Sequence, residues 1–144
     1  MTLYLDTSSL VKLYVSEEGS DTVRKLVNAA TVVATSVIAY AEARAAFARL
    51  RRERALTPPA LASLKRALDA DWTSYVTLDV TEVICREAGD LAERFRLRSY
   101  DSVHLATFAQ IIRRAGADAT RFSSYDVQLN EAVRQLTRQL RRVR

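Results

Sequence analysis

Four acidic residues stand where a sheet-and-helix protein would assemble a metal site. Asp6 ends the apolar run Leu3-Tyr4-Leu5. Glu42 lies inside the alanine-rich stretch Val37-Ile38-Ala39-Tyr40-Ala41-Glu42-Ala43, Asp101 near the start of Ser99-Tyr100-Asp101-Ser102-Val103-His104-Leu105, and Asp126 after Phe122-Ser123-Ser124-Tyr125. Carboxylates without a cysteine or a histidine pair suit a hard cation such as Mg²⁺ or Mn²⁺. Four carboxylates brought together without a cation would repel one another, and some would stay protonated. A divalent ion relieves that repulsion, lowers the pKa of bound water and clamps phosphate oxygens, which points to phosphate chemistry.

Each acid also has a structural role open to it. Asp6 could cap the helix that follows, although Thr7, Ser8 and Ser9 offer hydroxyls for that task. Glu42 has Ile38, Ala39, Ala45 and Ala46 along its helix face, where an unpaired carboxylate is costly, so Arg44, Arg49 or another base could pair with it. Asp101 falls in a first helical turn and gains from the helix dipole. Asp126 forms a capping-box-like pattern with Ser123, with Asp in place of Glu.

The elements that must position these acids follow from periodicity. Thr2–Leu5 reads as a buried strand, followed by a helix carrying Leu10, Val11, Leu13 and Tyr14. Ser16–Ser20 reads as a turn, Asp21–Ala29 as a helix and the β-branched run Thr31–Thr35 as a strand. A long helix is expected from Ser36 to about Arg54. Thr57-Pro58-Pro59 breaks the chain and starts another, to about Ser74. Tyr75–Leu78 is a third strand. Val80–Phe95 is a helix with Val83, Ile84, Ala88, Leu91 and Ala92 inward, and Tyr100–Ala115 is a helix ended by Gly116. Ala119–Ser123 is a fourth strand and Val127–Leu140 a last helix. Short strands alternating with helices imply a parallel sheet covered on both faces, with a site beyond the carboxyl ends of its strands.

Composition sets the outer bounds. A chain of 144 residues fits one domain. With 22 basic and 17 acidic residues the net charge is +5 and the pI about 9.7, a balance that favours polyanionic partners. Cys85, the only cysteine, excludes an internal disulfide and reads as a small buried thiol in a helix. No signal-peptide pattern and no spanning apolar run are present, so a cytoplasmic protein without membrane contact is expected. His104, three residues after Asp101, reads as a structural hydrogen-bonding group. Arg44, Arg49, Arg51, Arg52 and Arg54 form either a basic rim for RNA phosphates or a solvated face. Tyr40, Trp72 and Tyr75 read as packing residues rather than base-stacking ones.

The four segments together resemble the PIN domain, most closely the toxin component, VapC type, of type II toxin–antitoxin pairs. Leu3–Tyr14 resembles that family's first strand, catalytic Asp and helix; Ser36–Ala43 its conserved-Glu helix; Tyr100-Asp101-Ser102-Val103-His104-Leu105-Ala106-Thr107 its third motif; and Phe122–Leu129 its fourth, with Ser124 where Thr is usual. The order and spacing hold over residues 2–133. The resemblance implies a three-layer α/β/α sandwich and a Mg²⁺- or Mn²⁺-dependent endoribonuclease, in which metal-bound water attacks an RNA phosphodiester. It implies Asp6, Glu42, Asp101 and Asp126 as catalytic groups, Asp6 and Asp101 as the main metal ligands, and Ser8 and Ser124 as supports of the acids or their waters. It also implies a homodimer and a small antitoxin partner. The nuclease domain is expected over residues 1–133, with 134–144 a basic C-terminal tail, helical or frayed; this chain's arginine-rich end leaves little room for the family's usual fifth strand. Two other readings stay open: a Mg²⁺-dependent phosphoacceptor domain, for which Lys12, Lys25 and Lys65 are misplaced, and a non-catalytic nucleic-acid-binding module.

Overall fold

The computed structural model describes residues 1–143. Arg144, the last arginine of the basic end, lies outside the described residues. The strands are β1 (Thr2–Leu5), β2 (Val32–Ser36), β3 (Val76–Leu78) and β4 (Thr120–Ser123), all paired in parallel in the order β3-β2-β1-β4. The helices are α1 (Thr7–Val11), α2 (Ser20–Ala29), α3 (Ile38–Arg52), α4 (Pro58–Trp72), α5 (Glu82–Phe95), α6 (Ser99–Ala115) and α7 (Val127–Arg142). No fifth strand forms among the described residues, and α7 runs where one would have to start.

The alternation of β1 divides the core into two layers. Leu3 and Leu5 point to one face and pack with Leu10, Val23, Ala39, Ala43, Phe47 and Leu68 of α1 to α4. Tyr4 points to the other, against Phe108, Ile111 and Ile112 of α6. A further cluster joins α5, α6 and α7 through Ile84, Ala88, Leu91, Leu105, Ala109, Leu129 and Leu136. This is the expected three-layer α/β/α sandwich. Helix α6 packs between the sheet and helices α5 and α7, with nine of its residues buried, including His104 and Thr107. That explains why its sequence is apolar on several sides rather than striped.

Three local readings are corrected. Cys85 is exposed, because α5 turns Ile84 and Ala88 inward and sets residue 85 on the outer side. Val83 is 66% exposed for the same reason. And Asp6, not one of the three hydroxyl residues after it, is the N-cap of α1, accepting from the Ser9 amide. Tyr40, Trp72 and Tyr75 stack edge to face beside the α3/α4 core, as packing residues do.

The strand order fixes where a site can form. From β1 the chain moves to β2 and then β3 on one side, and later returns to place β4 on the other. The switch in direction falls between β1 and β4, and the crevice there opens at their carboxyl ends.

Candidate active site

Asp6 leaves β1 and Ser123, Ser124 and Asp126 leave β4 at that crevice, with the Asp6 amide donating to the Ser123 carbonyl at 3.2 Å. Glu42 arrives from the second turn of α3 and Asp101 from the first turn of α6. One cleft of about 270 Å³ is lined by Asp6, Glu42, Asp101 and Asp126, together with Thr7, Ser8, Arg98, His104 and Tyr125. The four acids named from the sequence therefore line one cleft, from four different elements. Ser8 lines the same cleft, and Ser124 touches it through Asp6.

Asp6 is 3% exposed and held entirely by uncharged donors. Its Oδ1 accepts from Ser8 Oγ at 2.7 Å and from the Ser9 amide at 3.0 Å, and its Oδ2 accepts from Ser124 Oγ. Ser8 and Ser124 in turn accept from the amides of Tyr125 and Asp126 at 2.9 and 3.0 Å. Below them Ser9 and Ser123 share a hydrogen bond of 2.8 Å. The net effect on Asp6 is a raised pKa: burial pushes it up, and the bonds from Ser124, Ser8 and Ser9 with the charge of His104 pull back less than that.

Glu42 is treated differently. Its Oε1 accepts from Thr7 Oγ1 at 2.7 Å and from His104 Nε2 at 2.8 Å. A carboxylate only accepts, so His104 carries its proton on Nε2; in the neutral ring Nδ1 then accepts from the buried Tyr4 hydroxyl at 2.8 Å. The result is a relay, Tyr4 to His104 to Glu42, running out of the core into the cleft. Burial pushes the Glu42 pKa up, but the His104 bond and charge, Thr7 and Arg98 outweigh it and hold the carboxyl below its usual value. The arginines offered from sequence as its partners are engaged elsewhere: Arg44 donates to the Tyr40 hydroxyl and Arg49 to Glu53. His104 does have the structural hydrogen-bonding role expected of it, and it exercises that role on a site residue.

Asp101 and Asp126 share Arg98, which the sequence did not mark. Arg98 Nε donates to Asp101 Oδ2 at 3.2 Å, and its Nη2 lies 3.7 Å from Asp126 Oδ2. Arg96, in the left-handed region at φ 54°, ends α5 and lets the chain reverse so that Arg98 precedes α6. Gln128 of α7 donates to the Arg96 carbonyl at 2.8 Å, which ties this turn to the Asp126 segment. Asp126 also caps α7 through the Leu129 amide at 2.7 Å, so the expected capping role is carried by its own side chain, while Ser123 bonds to Ser9 instead. Only proximity to Asp101 at i, i+3 in the sequence could have flagged Arg98.

Tyr125 completes the rim. Its hydroxyl donates to the Gly19 carbonyl at 3.1 Å, and Lys12 Nζ sits 4.3 Å from its ring centre. Lys12 is turned toward Glu17 and the Glu18 carbonyl, and no lysine lines the cleft, which removes the geometry a phosphoacceptor domain needs.

The donor set of the cleft, four carboxylates and hydroxyls, is that of a hard divalent cation. Among the described residues no three acidic or imidazole groups stand together as a ready-made ligand cluster. What the structure does show is a buried carboxylate with no positive partner of its own and a guanidinium bridging two others. Both features fit a centre that takes positive charge.

The PIN domain family profile matches residues 3–135. The chain belongs to the PIN domain family. It is 35% identical over 105 residues to Ribonuclease VapC45 of Mycobacterium tuberculosis, covering 73% of each chain. Over 135 residues it is 33% identical to Ribonuclease VapC46 of the same species, covering 93% of this chain and 92% of the relative. Among solved structures, VapC20 of M. tuberculosis, described as a sarcin-ricin loop cleaving toxin, superposes with a TM-score of 0.64 at 18% identity, over 90% of this chain and 94% of that one. A chain of a toxin–antitoxin complex from Klebsiella pneumoniae gives 0.55 at 18% identity, over 87% of this chain and 99% of that one. At that identity these two likenesses speak for the PIN fold alone.

Proposed function

We propose that this PIN-domain protein is a metal-dependent endoribonuclease, the toxin of a toxin–antitoxin pair, and that the cleft between β1 and β4 hydrolyses RNA phosphodiester bonds. The observation that carries the reading is the convergence of Asp6, Glu42, Asp101 and Asp126 on one cleft. The kinship with VapC ribonucleases supports it.

In this reading Asp6 and Asp101 would hold Mg²⁺ or Mn²⁺, and Asp126 would complete the site. Such an ion lowers the pKa of bound water and neutralises charge on the phosphate oxygens. The protein's own groups do the rest. Ser8 and Ser124 fix the rotamer of Asp6. Thr7 and His104 both occupy Oε1 of Glu42, which leaves Oε2 to accept a hydrogen bond from the attacking water and orient it. The lowered pKa of Glu42 keeps it ionised for that task. Arg98 stands at the mouth of the cleft with its side chain 80% exposed, placed to meet a substrate phosphate. The net charge of +5 favours RNA at longer range.

The partners that follow are an RNA substrate, a small protein antitoxin and a second copy of the chain, in the cytoplasm. Among the described residues no helix is long and apolar enough to cross a membrane. Residues 1–133 form the nuclease unit in this proposal, with the basic end of α7 beyond it.

The test is cleavage of a mixed RNA substrate by the purified protein with and without Mg²⁺ or Mn²⁺, beside Asp6→Asn and Asp101→Asn. Metal-dependent cutting, lost in both variants, is the expected result. RNA binding without cutting, unaltered by Asp6→Asn and indifferent to metal, would return the protein to the class of binding modules.

A further inference from the structure

Beside the carboxylate cleft lies a second groove, of about 380 Å³, lined by Ile38, Ala41, Glu42, Ala45 and Tyr100. Glu42 lines both, so the two adjoin at that side chain. Apart from Glu42 the groove offers no charge. Its floor is the small-residue side of α3, and its wall is Tyr100, 57% exposed, in the first turn of α6 next to Asp101. The Tyr100 hydroxyl makes no hydrogen bond among the described residues, and its ring has no aromatic neighbour, unlike Tyr40, Trp72 and Tyr75, which are locked against one another. This exposed ring, one residue from a site carboxylate and held by no hydrogen bond or ring contact among the described residues, is free to meet a ligand.

We infer that this groove is a nucleobase subsite, in which Tyr100 stacks on the base adjoining the scissile phosphate of a single-stranded RNA. The inference rests on the reading of the carboxylate cleft as an RNA phosphate site. The chemistry selects the occupant. A phosphate would be repelled by Glu42 and find no positive charge in the groove, whereas a base is uncharged, planar and joined to the phosphate by one sugar. Aromatic stacking takes any base face, so the subsite supplies affinity and position more than sequence choice. Tyr125, on the far side of the cleft, is pinned by Gly19 and Lys12 and is less free to adapt.

The experiment uses the full chain carrying Asp6→Asn, so that RNA is bound and not cut, and a single-stranded RNA of mixed sequence labelled with 2-aminopurine, a base whose fluorescence changes on stacking. Addition of Tyr100→Ala is expected to weaken binding about tenfold, within the range of one lost base–aromatic stack, and to abolish the fluorescence change; Tyr100→Phe rescues most of the loss. Unchanged binding on Tyr100→Ala overturns the subsite, as does failure of the RNA to bind at all. Unchanged RNA binding with a lower mass in light scattering also overturns it and assigns the groove to a second copy of the chain. Cleavage by the wild type is scored separately: RNA that is bound through Tyr100 but never cut defeats the nuclease reading and leaves the subsite standing.

Discussion

The two walls of the cleft solve the same electrostatic problem in different ways. On the β1/β4 wall, Asp6 is nearly buried and is met only by hydroxyls and an amide. On the α3/α6 wall, Glu42 is met by an imidazole, and Asp101 by a guanidinium. The pKa directions follow: Asp6 up, Glu42 down. Hydroxyls orient a carboxylate but do not cancel its charge. The protein has thus left one acid without a charged partner, directly after the buried strand β1, and in the proposed function that is the acid that anchors the cation. Sites that break the local rules of polar burial are commonly the functional ones.

The strongest way to break this contrast is Asp6→Asn. Cleavage is expected to fall by at least about 100-fold if the acid anchors the ion, as loss of a ligand does. The same variant is expected to lose the rise in melting temperature that Mg²⁺ or Mn²⁺ gives the wild type by binding the folded state. Its stability without metal sharpens the point. A carboxyl whose folded pKa is raised contributes stability that is present below its unfolded value, near 3.8, and lost as pH rises through the folded one. In a chelator, the wild type should therefore lose stability relative to Asp6→Asn as pH climbs from that value, and the gap should level off once the acid is ionised. Parallel pH curves for the two proteins would contradict the uncompensated charge.

The opposite wall predicts the opposite response. His104→Ala removes the partner of Glu42 and leaves the Tyr4 hydroxyl without its acceptor, so a loss of about 2–3 kcal/mol in urea denaturation is expected. Glu42→Gln should cost less stability than His104→Ala, because an amide oxygen still accepts from both Thr7 and His104. It should still reduce cleavage strongly. The smallest effect belongs to Arg98→Gln. With the guanidinium gone from Asp101 and Asp126, calorimetry should show Mn²⁺ binding tightened by about fivefold or less, the scale of one exposed ion pair, while RNA affinity falls.

The sequence carried the elements well because its signals were local. Asp6 after an apolar run, two prolines opening α4 and Gly116 ending α6 are each readable within a few positions. Asp6, Asp101 and Asp126 stood out through their placement at element ends, and Glu42 through its position on a small, apolar helix face. What was not legible depends on contacts made only in three dimensions. The partner of Glu42 is 62 residues away, and that of His104 Nδ1 is 100 away. Arg98 lies in a turn whose direction is set by a left-handed residue and by Gln128 from another helix. Cys85 and Val83 were misplaced because a helix with apolar residues at successive positions does not say which of them faces in.

Gly19 looks like the most replaceable residue in the molecule, since it sits in a turn outside the four segments that carry the site acids. Its backbone is in the left-handed region, at φ +89°, and a Cβ there would come within 2.5 Å of the Tyr125 hydroxyl. Any side chain at this position strains the turn, and its Cβ would also push the Tyr125 ring away from its place on the rim of the cleft. In a library of random substitutions, position 19 should therefore be less tolerant than the turn residues around it, and a screen that scores only activity would register a glycine that touches the cleft through Tyr125 alone.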